Sequence, residues 1–353
     1  MAEAVGRLLI VGFEGADFAE IEALLTRVRP AGLIFFKRNY PGGEAREAPG
    51  RLRAIIGRAQ GLADSLLGRR LLIAIDHEGG RVRRLPAPYS ALPAPGTLSA
   101  ARAGALAEAG ARELAATGFN FNLAPVLDVA PPRGGAYLGD RAFSDDPDQV
   151  ADCGRASLAA FHRVGILGAG KHFPGLGSAV LDPHQELPTI EADRARLEEV
   201  DWRPYRGLAG GELGAVMSTH ALYPALDPER PATFSEEIVR LLKEGLSFSG
   251  ALLTDDLEMG AAVKYYPPGQ AAVAALRAGH DLALICRRAD YVEAGRQALG
   301  LAVGRGLISE KRLTGALDRS AGLLRRLEAI WPAEGLRARW FEELVGRPED
   351  KPA

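Results

Sequence analysis

Residues 146–173 read "DPDQVADCGRASLAAFHRVGILGAGKHF" and combine a helix pattern with a strand pattern. The first part begins with an Asp that can cap a helix and carries apolar residues at helical spacing up to Val164. Gly165 ends that pattern, and a short apolar run then leads into Lys171 and His172. The stretch therefore predicts one helix followed by one buried strand of a parallel sheet.

The same alternation recurs along the chain. Seven further apolar runs are typical of buried strands, at residues 8–13, 32–37, 70–76, 119–128, 214–220, 250–256 and 281–286. Helix patterns between them cover residues 16–28, 101–118, 234–246 and 269–280. Eight such units predict an α/β protein that forms a closed (β/α)8 barrel. An open Rossmann-like sheet is the alternative, although no Gly-rich dinucleotide fingerprint follows the first strand.

We expect residues 1–345 to form a single domain. After the eighth predicted strand, residues 308–330 have the pattern of a long amphipathic helix, which we expect as an extra C-terminal helix of the barrel. The polar residues 346–353 (GRPEDKPA) are predicted to form a frayed tail. No linker, low-complexity block or internal repeat indicates a second domain.

Composition restricts the classes of partner. The 353 residues are 47% hydrophobic and 25% charged, with a formal net charge of −2, which argues against nucleic acid or an anionic membrane as a partner. Cys153 and Cys286 match neither a metal-binding nor a disulfide pattern. The apolar run at the N-terminus is too short for a signal peptide or a membrane span. We therefore expect a cytoplasmic protein, with a monomer as the simplest oligomeric state.

Polar residues end most of the predicted strands. In a barrel these ends meet at one rim, where active sites form. They are Lys37, Arg38, Asn39, Asp76, His77, Glu78, Asp128, Lys171, His172, His220, Asp255 and Asp256. Each alone could cap a helix or meet solvent, but together they describe a polar pocket suited to the hydroxyl groups of a carbohydrate. No HxH or HExxH spacing is present, so we expect neither a catalytic metal nor another cofactor.

Six blocks in this order resemble the single-domain bacterial β-N-acetylglucosaminidases of glycoside hydrolase family 3, the NagZ type. The blocks are "DHEGGRVRRL" (76–85), "NFNLAPVLDV" (120–129), "GDRAFSDDP" (139–147), "KHFPGLGSAVLDPHQELP" (171–188), "YPALDPERPATFS" (223–235) and "LLTDDLEMGA" (252–261). Their near-correct spacing makes the resemblance far more specific than a single motif.

The resemblance implies a retaining glycosidase that removes terminal N-acetylglucosamine from cell-wall (peptidoglycan) fragments. Asp255 would be the nucleophile, and His184, paired with Asp182, the general acid/base. An Asp at a strand end is rigidly held, and a His can give and recover a proton at neutral pH. The loop that carries His184 is punctuated by Gly and Pro, and we expect it to close over bound sugar.

The resemblance also implies a set of sugar-binding residues: Asp76, Arg84, Arg141, Lys171 and His172. A carboxylate accepts hydrogen bonds from hydroxyl groups, whereas Lys and Arg donate to them. The choice of Arg84 over Arg83 rests on the family's spacing alone. Asp128, His220 and Asp256 are expected to support these groups without contacting sugar.

Three positions depart from the family pattern. His77 replaces a Gln, Leu176 a His and Pro183 a Ser. Pro183 restricts the backbone of Asp182, which could alter the resting geometry of the Asp182–His184 pair. Leu176 could loosen the loop or change what lies beyond the first sugar.

Other functions remain open from the sequence. A β-glucosidase of the same superfamily is one, although such enzymes usually take their acid from a further domain. A phosphorylase is another, because a histidine acid/base does not repel phosphate as a carboxylate would. A sugar-binding protein without turnover is the alternative from a different class.

Overall fold

The computed structural model describes residues 2–42, 44, 47–131 and 137–346. The described strands are β1 (Leu9–Val11), β2 (Gly32–Phe35), β3 (Leu72–Ile75), β4 (His77–Gly79), β5 (Val82–Arg83), β6 (Phe121–Asn122), β7 (Leu167–Phe173), β8 (Ala215–Ser218), β9 (Ala251–Asp256) and β10 (Leu282–Ile285).

The described helices are α1 (Ala2–Gly6), α2 (Phe18–Arg27), α3 (Ala48–Leu67), α4 (Ala100–Thr117), α5 (Pro147–Val164), α6 (Arg194–Arg196), α7 (Arg203–Leu208), α8 (Glu236–Arg240), α9 (Gly260–Val263), α10 (Pro268–Ala278), α11 (Ala289–Gly304), α12 (Glu310–Ile330) and α13 (Glu334–Val345). Five-residue π-helical turns, Leu197–Asp201 and Leu241–Gly245, follow α6 and α8. None of the helices in these described ranges is long and apolar enough to cross a membrane.

Eight strands close into a parallel barrel in the order β1-β10-β9-β8-β7-β6-β3-β2. Leu9 to Val11 of β1 pair with residues 283–285 of β10, and Ile10 and Val11 also pair with the start of β2. The closure confirms the (β/α)8 prediction and excludes the open sheet. The other two strands, β4 and β5, form an antiparallel hairpin directly after β3.

The helix boundaries follow the capping residues in the sequence. At the start of α5 the Asp146 carboxylate accepts the N–H of Asp148, and Pro147 occupies the first turn, where a missing N–H costs nothing. The helix ends at Gly165, whose φ of 91° is the left-handed conformation that glycine adopts readily. The helix predicted from residues 146–164 is therefore confirmed.

The fourth barrel strand is shorter than predicted. Residues 119–128 were expected to form a strand, but regular pairing is confined to β6, because Pro125 has no N–H to donate to a ladder. The segment nevertheless continues beside β7: the Lys171 N–H donates to the Pro125 carbonyl, and the Leu127 N–H donates to that of Lys171. This irregular course brings Asp128 beside β7.

The helix predicted after the eighth strand is confirmed as α12, which covers the amino-terminal end of the barrel. Leu323 and Leu327 of α12 are buried in the cluster that fills the barrel interior. A further helix, α13, was not predicted and packs against α4. Nearly all of the predicted frayed tail, residues 347–353, lies outside the described residues.

Asp281 joins α12 to the barrel. It lies directly before β10, is fully buried, and accepts the Leu252 N–H. Its carboxylate also lies 3.0 Å from the Lys243 ammonium, 2.9 Å from the Arg319 guanidinium and 3.2 Å from that of Arg312. Burial alone would raise the pKa of Asp281, but these three cations lower it overall. The carboxylate is therefore ionised at neutral pH and compensates the charge around it.

Asp281→Asn should lower the free energy of unfolding at pH 7 by about 3 kcal/mol, because it leaves three partly buried cations without their shared, fully buried anion. Since folding depresses the pKa of Asp281, its stabilising effect is present at neutral pH and is lost in acid. The difference from wild type should narrow as the pH falls below about 4. Urea denaturation measures both effects. Asp318→Asn, an exposed change on the same helix, should cost less than about 0.5 kcal/mol, and an equal cost for both variants would contradict the assigned role.

Candidate functional site

A polar pocket of about 450 Å³ opens at the carboxyl-terminal end of the barrel. It lies among the ends of β3, β7 and β9, the β4–β5 hairpin and the loop that follows β7. All eight residues predicted for the site line it: Asp76, Arg84, Arg141, Lys171, His172, Asp182, His184 and Asp255. Glu78, which the sequence places on the predicted rim without a specific role, also lines the pocket, as do four residues that were not predicted: Arg81, Val82, Tyr137 and Val180.

Asp255 lies at the end of β9 and accepts the N–H of Asp256 at 2.8 Å. Burial tends to raise the pKa of Asp255, but His172, His220, the Asp256 N–H and Lys171 lower it overall. The carboxylate is therefore ionised at neutral pH. A rigidly held anion of this kind can act as a nucleophile.

Asp256 has the supporting position that the sequence suggested. It does not line the pocket; its carboxylate accepts the N–H groups of Glu258 and Cys286 at 3.0 and 3.2 Å. Burial raises the pKa of Asp256 to about 7. These bonds fix the turn after β9 and so the direction of Asp255.

Asp182 and His184 form a hydrogen-bonded pair on the loop after β7. Nδ1 of His184 lies 2.8 Å from Oδ1 of Asp182, which also accepts the His184 backbone N–H at 2.9 Å. The Tyr137 hydroxyl lies 3.4 Å from the same ring nitrogen. The His184 side chain is 62% exposed. Because Asp182 occupies Nδ1, Nε2 is the nitrogen free to exchange a proton with a ligand.

A buried ionic network forms another side of the pocket. The Lys171 ammonium lies 2.7 Å from both Asp76 and Glu78, and Arg141 donates two hydrogen bonds of 2.9 Å to Glu78. Burial would lower the pKa of Lys171, but the two carboxylates raise it overall; the two cations in turn hold the pKa of Glu78 well below its usual range despite its burial. The network thus presents fixed, charged hydrogen-bonding groups.

His172 is oriented by Asp128. Oδ2 of this fully buried carboxylate lies 2.7 Å from His172 Nδ1 and accepts the His172 backbone N–H at 3.1 Å. The other oxygen accepts the N–H of Leu176 at 2.7 Å. Asp128 therefore fixes both the histidine ring and the first turn of the loop, which agrees with the supporting role expected for it.

Arg84 and Arg83 occupy different environments. Arg84 lines the pocket, 3.8 Å from Asp76, whereas Arg83 lies outside the lining and donates to the Ser90 carbonyl. The structure therefore places the arginine chosen by family spacing at the pocket.

The departures at His77 and Leu176 lie outside the pocket lining. Leu176 is buried in a core cluster with Phe173 and Trp202 and does not line the pocket. His77 is buried behind the pocket. Burial and the nearby guanidinium groups of Arg83 and Arg84 lower the pKa of its ring to about 3. Packing accommodates Leu176, whereas Nδ1 of His77 is buried without a hydrogen-bond partner among the described residues.

The loop after β7 needs a glycine at Gly177. A Cβ atom there would lie 1.8 Å from the Val129 carbonyl oxygen, so only glycine permits this close approach. The later part of the loop is fixed by the Ile190 N–H, which donates to the Leu222 carbonyl at 2.8 Å. Asp182 and His184 thus lie between two anchored ends.

Glu78 was placed on the predicted rim, but the sequence analysis gave it no role in the site. Alternation along a strand places Asp76 and Glu78 on the same side and His77 on the other, and this period of two could have identified it. Tyr137 offered no such signal, because it lies in an irregular segment whose course depends on tertiary contacts.

The charges around the pocket balance. Its described lining contains four carboxylates and four cationic side chains: Asp76, Glu78, Asp182, Asp255, Arg81, Arg84, Arg141 and Lys171. Such a surface suits an uncharged ligand with many hydroxyl groups. Within the described ranges, no group of three or more His, Cys, Asp or Glu side chains could hold a metal ion.

A barrel with a buried polar rim, a strand-end carboxylate and an Asp–His pair has the features of a glycoside hydrolase. The profile described as glycosyl hydrolase family 3 N terminal domain matches residues 1–323. A Beta-hexosaminidase of Alkalilimnicola ehrlichii is 40% identical over 302 residues, which cover 81% of this chain and 82% of that protein. The chain belongs to glycosyl hydrolase family 3.

Comparison with solved structures agrees with this family assignment. A glycoside hydrolase family 3 β-N-acetylglucosaminidase from Paenibacillus sp. str. FPU-7 superposes with a TM-score of 0.88 at 32% identity, over 98% of this chain and 68% of that one. A β-N-acetylhexosaminidase from Beutenbergia cavernae gives a TM-score of 0.78 at 28% identity, over 93% and 97% of the two chains.

Glu78→Gln should lower the melting temperature by at least about 4 °C, because Lys171 and Arg141 would then lack their shared anion in a buried setting. Calorimetry at pH 7 measures the shift. The matched control is Glu198→Gln, which removes only a surface pair with Arg194 and should change the melting temperature by less than about 1 °C. Equal shifts in the two variants would show that the buried network is not a source of stability.

Proposed function

We propose that this chain is a retaining exo-β-N-acetylglucosaminidase that removes terminal N-acetylglucosamine from peptidoglycan fragments in the cytoplasm. Its membership of the family and its β-hexosaminidase relatives make it a glycoside hydrolase of the β-N-acetylhexosaminidase type. The observation that carries the proposal is an ionised Asp255 lining the same pocket as the Asp182–His184 pair.

In the first step, an oxygen of Asp255 attacks the anomeric carbon of the sugar. The bond between that carbon and the glycosidic oxygen breaks, and His184 Nε2 gives its proton to the departing oxygen. The products are a glycosyl ester on Asp255 and a free aglycone alcohol. Asp182 stabilises the protonated imidazole before the transfer and holds the ring in one orientation.

In the second step, water attacks the same carbon from the side the aglycone has left. His184 Nε2, now neutral, accepts a proton from that water, and the ester bond to Asp255 breaks. The carboxylate is regenerated, and the sugar leaves with the anomeric configuration it had in the substrate. Each step inverts the configuration of the anomeric carbon, so the two steps together retain it. One nucleophile and one acid/base group suffice, because His184 acts in both steps.

The remaining lining residues would hold the sugar. Asp76 can accept from hydroxyl groups, while Lys171, Arg84 and Arg141 can donate to them. His172 offers Nε2, since Asp128 occupies Nδ1. The ion pairs keep these side chains in place before substrate arrives, so little conformational entropy is lost on binding.

A chromogenic assay tests the activity and the nucleophile together. The wild type should release nitrophenol from the β-N-acetylglucosaminide faster than from the β-glucoside, without a need for phosphate. Asp255→Ala should reduce this rate by at least about 10³-fold, because no covalent intermediate can form. Asp64→Ala, an exposed change on α3, should leave it unaltered. Turnover that requires phosphate would show a phosphorylase, and no turnover of either sugar would favour a binding role.

His184→Ala tests the acid/base. Its kcat/KM should fall by about 10²–10⁴-fold for an alkyl or sugar aglycone, which must be protonated to leave, and far less for a dinitrophenyl aglycone. His162→Ala, on the exposed end of α5, is the matched control and should change neither value. Equal losses for both aglycones in His184→Ala would exclude a general acid at this position.

Release of N-acetylglucosamine from purified peptidoglycan fragments tests the natural substrate. Wild-type enzyme should cleave fragments with a terminal N-acetylglucosamine and leave fragments without one intact. Cleavage only of unrelated N-acetylglucosaminides would keep the activity and overturn the cell-wall substrate.

A further inference from the structure

The loop that carries His184 is bonded to the first turn of α9. The Gly260 N–H donates to the His184 carbonyl at 3.0 Å, and the Ala261 N–H donates to the Pro183 carbonyl at 3.2 Å. The first N–H groups of a helix have no acceptor within it, so the loop supplies partners that α9 lacks. Both hydrogen bonds are accepted by backbone carbonyls of the loop, at Pro183 and at His184 itself.

These hydrogen bonds connect His184 to Asp255 through the short segment of residues 255–260. Gly260 lies five residues after Asp255, and the intervening turn is fixed by the Asp256 carboxylate. The His184 side chain is 62% exposed, and its described side-chain bonds are those to Asp182 and Tyr137. Its position relative to Asp255 therefore depends strongly on where its backbone is held.

Gly260 leaves no room for a side chain at this contact. A Cβ atom would lie 2.7 Å from the Gln185 carbonyl oxygen and 2.9 Å from that of His184. Both are backbone atoms, so the loop itself would have to move. Gly260 is not in the left-handed conformation, so alanine would strain the loop contact and not the local backbone of α9.

We propose that Gly260 is a positioning residue for the acid/base, which holds the His184 segment against α9 and so at a fixed place relative to Asp255. The inference rests on the proposed function, since it assigns Gly260 to the proton-transfer part of that reaction. A substitution of Gly260 should therefore impair proton donation by His184, while sugar binding and nucleophilic attack by Asp255 change little.

Gly260→Ala tests this with two substrates of one sugar. For an alkyl or sugar aglycone, kcat/KM should fall at least about tenfold, part of the 10²–10⁴-fold that general acid catalysis supplies. For the dinitrophenyl aglycone it should fall less than about threefold, because that group leaves without a proton. Azide should raise kcat of the variant on the dinitrophenyl substrate, since it attacks the glycosyl ester without a general base. The inhibition constant of N-acetylglucosamine should stay within about threefold of wild type.

Gly57→Ala and Gly300→Ala are matched controls, because a Cβ at either helical position meets nothing within 4 Å. Unchanged kinetics in Gly260→Ala, or equal losses on both substrates with weaker inhibition by N-acetylglucosamine, would overturn the inference. A wild-type enzyme that turns over neither substrate would instead overturn the proposed function.

A measurement on the wild type needs no variant. Hydrogen exchange of the Gly260 and Ala261 amides should be at least about tenfold slower than in an unstructured peptide, since both are donors to the loop. Exchange at the unstructured rate would show that the contact does not persist and would overturn the inference even if Gly260→Ala failed to fold.

Discussion

Glu78 is the constraint on which the buried ionic side of the pocket depends. Its carboxylate is buried between Lys171 and Arg141, and each of these cations is buried in turn. None of the three could be buried alone, because an unpaired charge in the barrel interior is strongly destabilising. The three charges therefore depend on one another, and they fix two hydrogen-bond donors before any ligand arrives. The network is rigid because its charges have no other acceptable arrangement.

The two groups that we propose to react are held by different kinds of structure. Asp255 lies at the end of β9, which pairs with β8 as far as Leu253 and with β10 at Leu253 and Asp256. His184 lies on a loop that is anchored at its ends and at α9, with an exposed side chain between. A firmly held carboxylate beside a more adjustable imidazole suits the proposed reaction, in which the same imidazole serves first the aglycone and then water. Whether the loop closes over sugar, as its Gly and Pro content indicates, remains a prediction.

The sequence predicted the barrel because its evidence is local: apolar runs of strand length alternate with capped amphipathic segments. Of the eight residues predicted for the site, Asp76, Lys171, His172 and Asp255 lie together because strand ends meet at one rim. The other four reach the pocket from loops and were expected there from the family resemblance. The sequence did not reveal Tyr137, α13 or the contact at Gly260, since each depends on tertiary approach between distant segments. The predicted fourth strand is too long because residues 119–128 are mostly apolar, whereas Pro125 has no N–H to donate to the ladder.

The pairing of β1 with β10 has a consequence for how the chain is made. The strand nearest the N-terminus obtains one of its neighbours only when residues 282–285 have been synthesised. Until then one edge of β1 lacks its hydrogen-bonded neighbour. Lys243 likewise lacks its ion-pair partner until Asp281 is made and α12 packs beside it. The barrel therefore cannot be completed progressively during translation; it is finished in a late step that joins its first and last strands. Products of premature termination before β10 carry an unpaired strand edge, which is a site for association between incomplete chains.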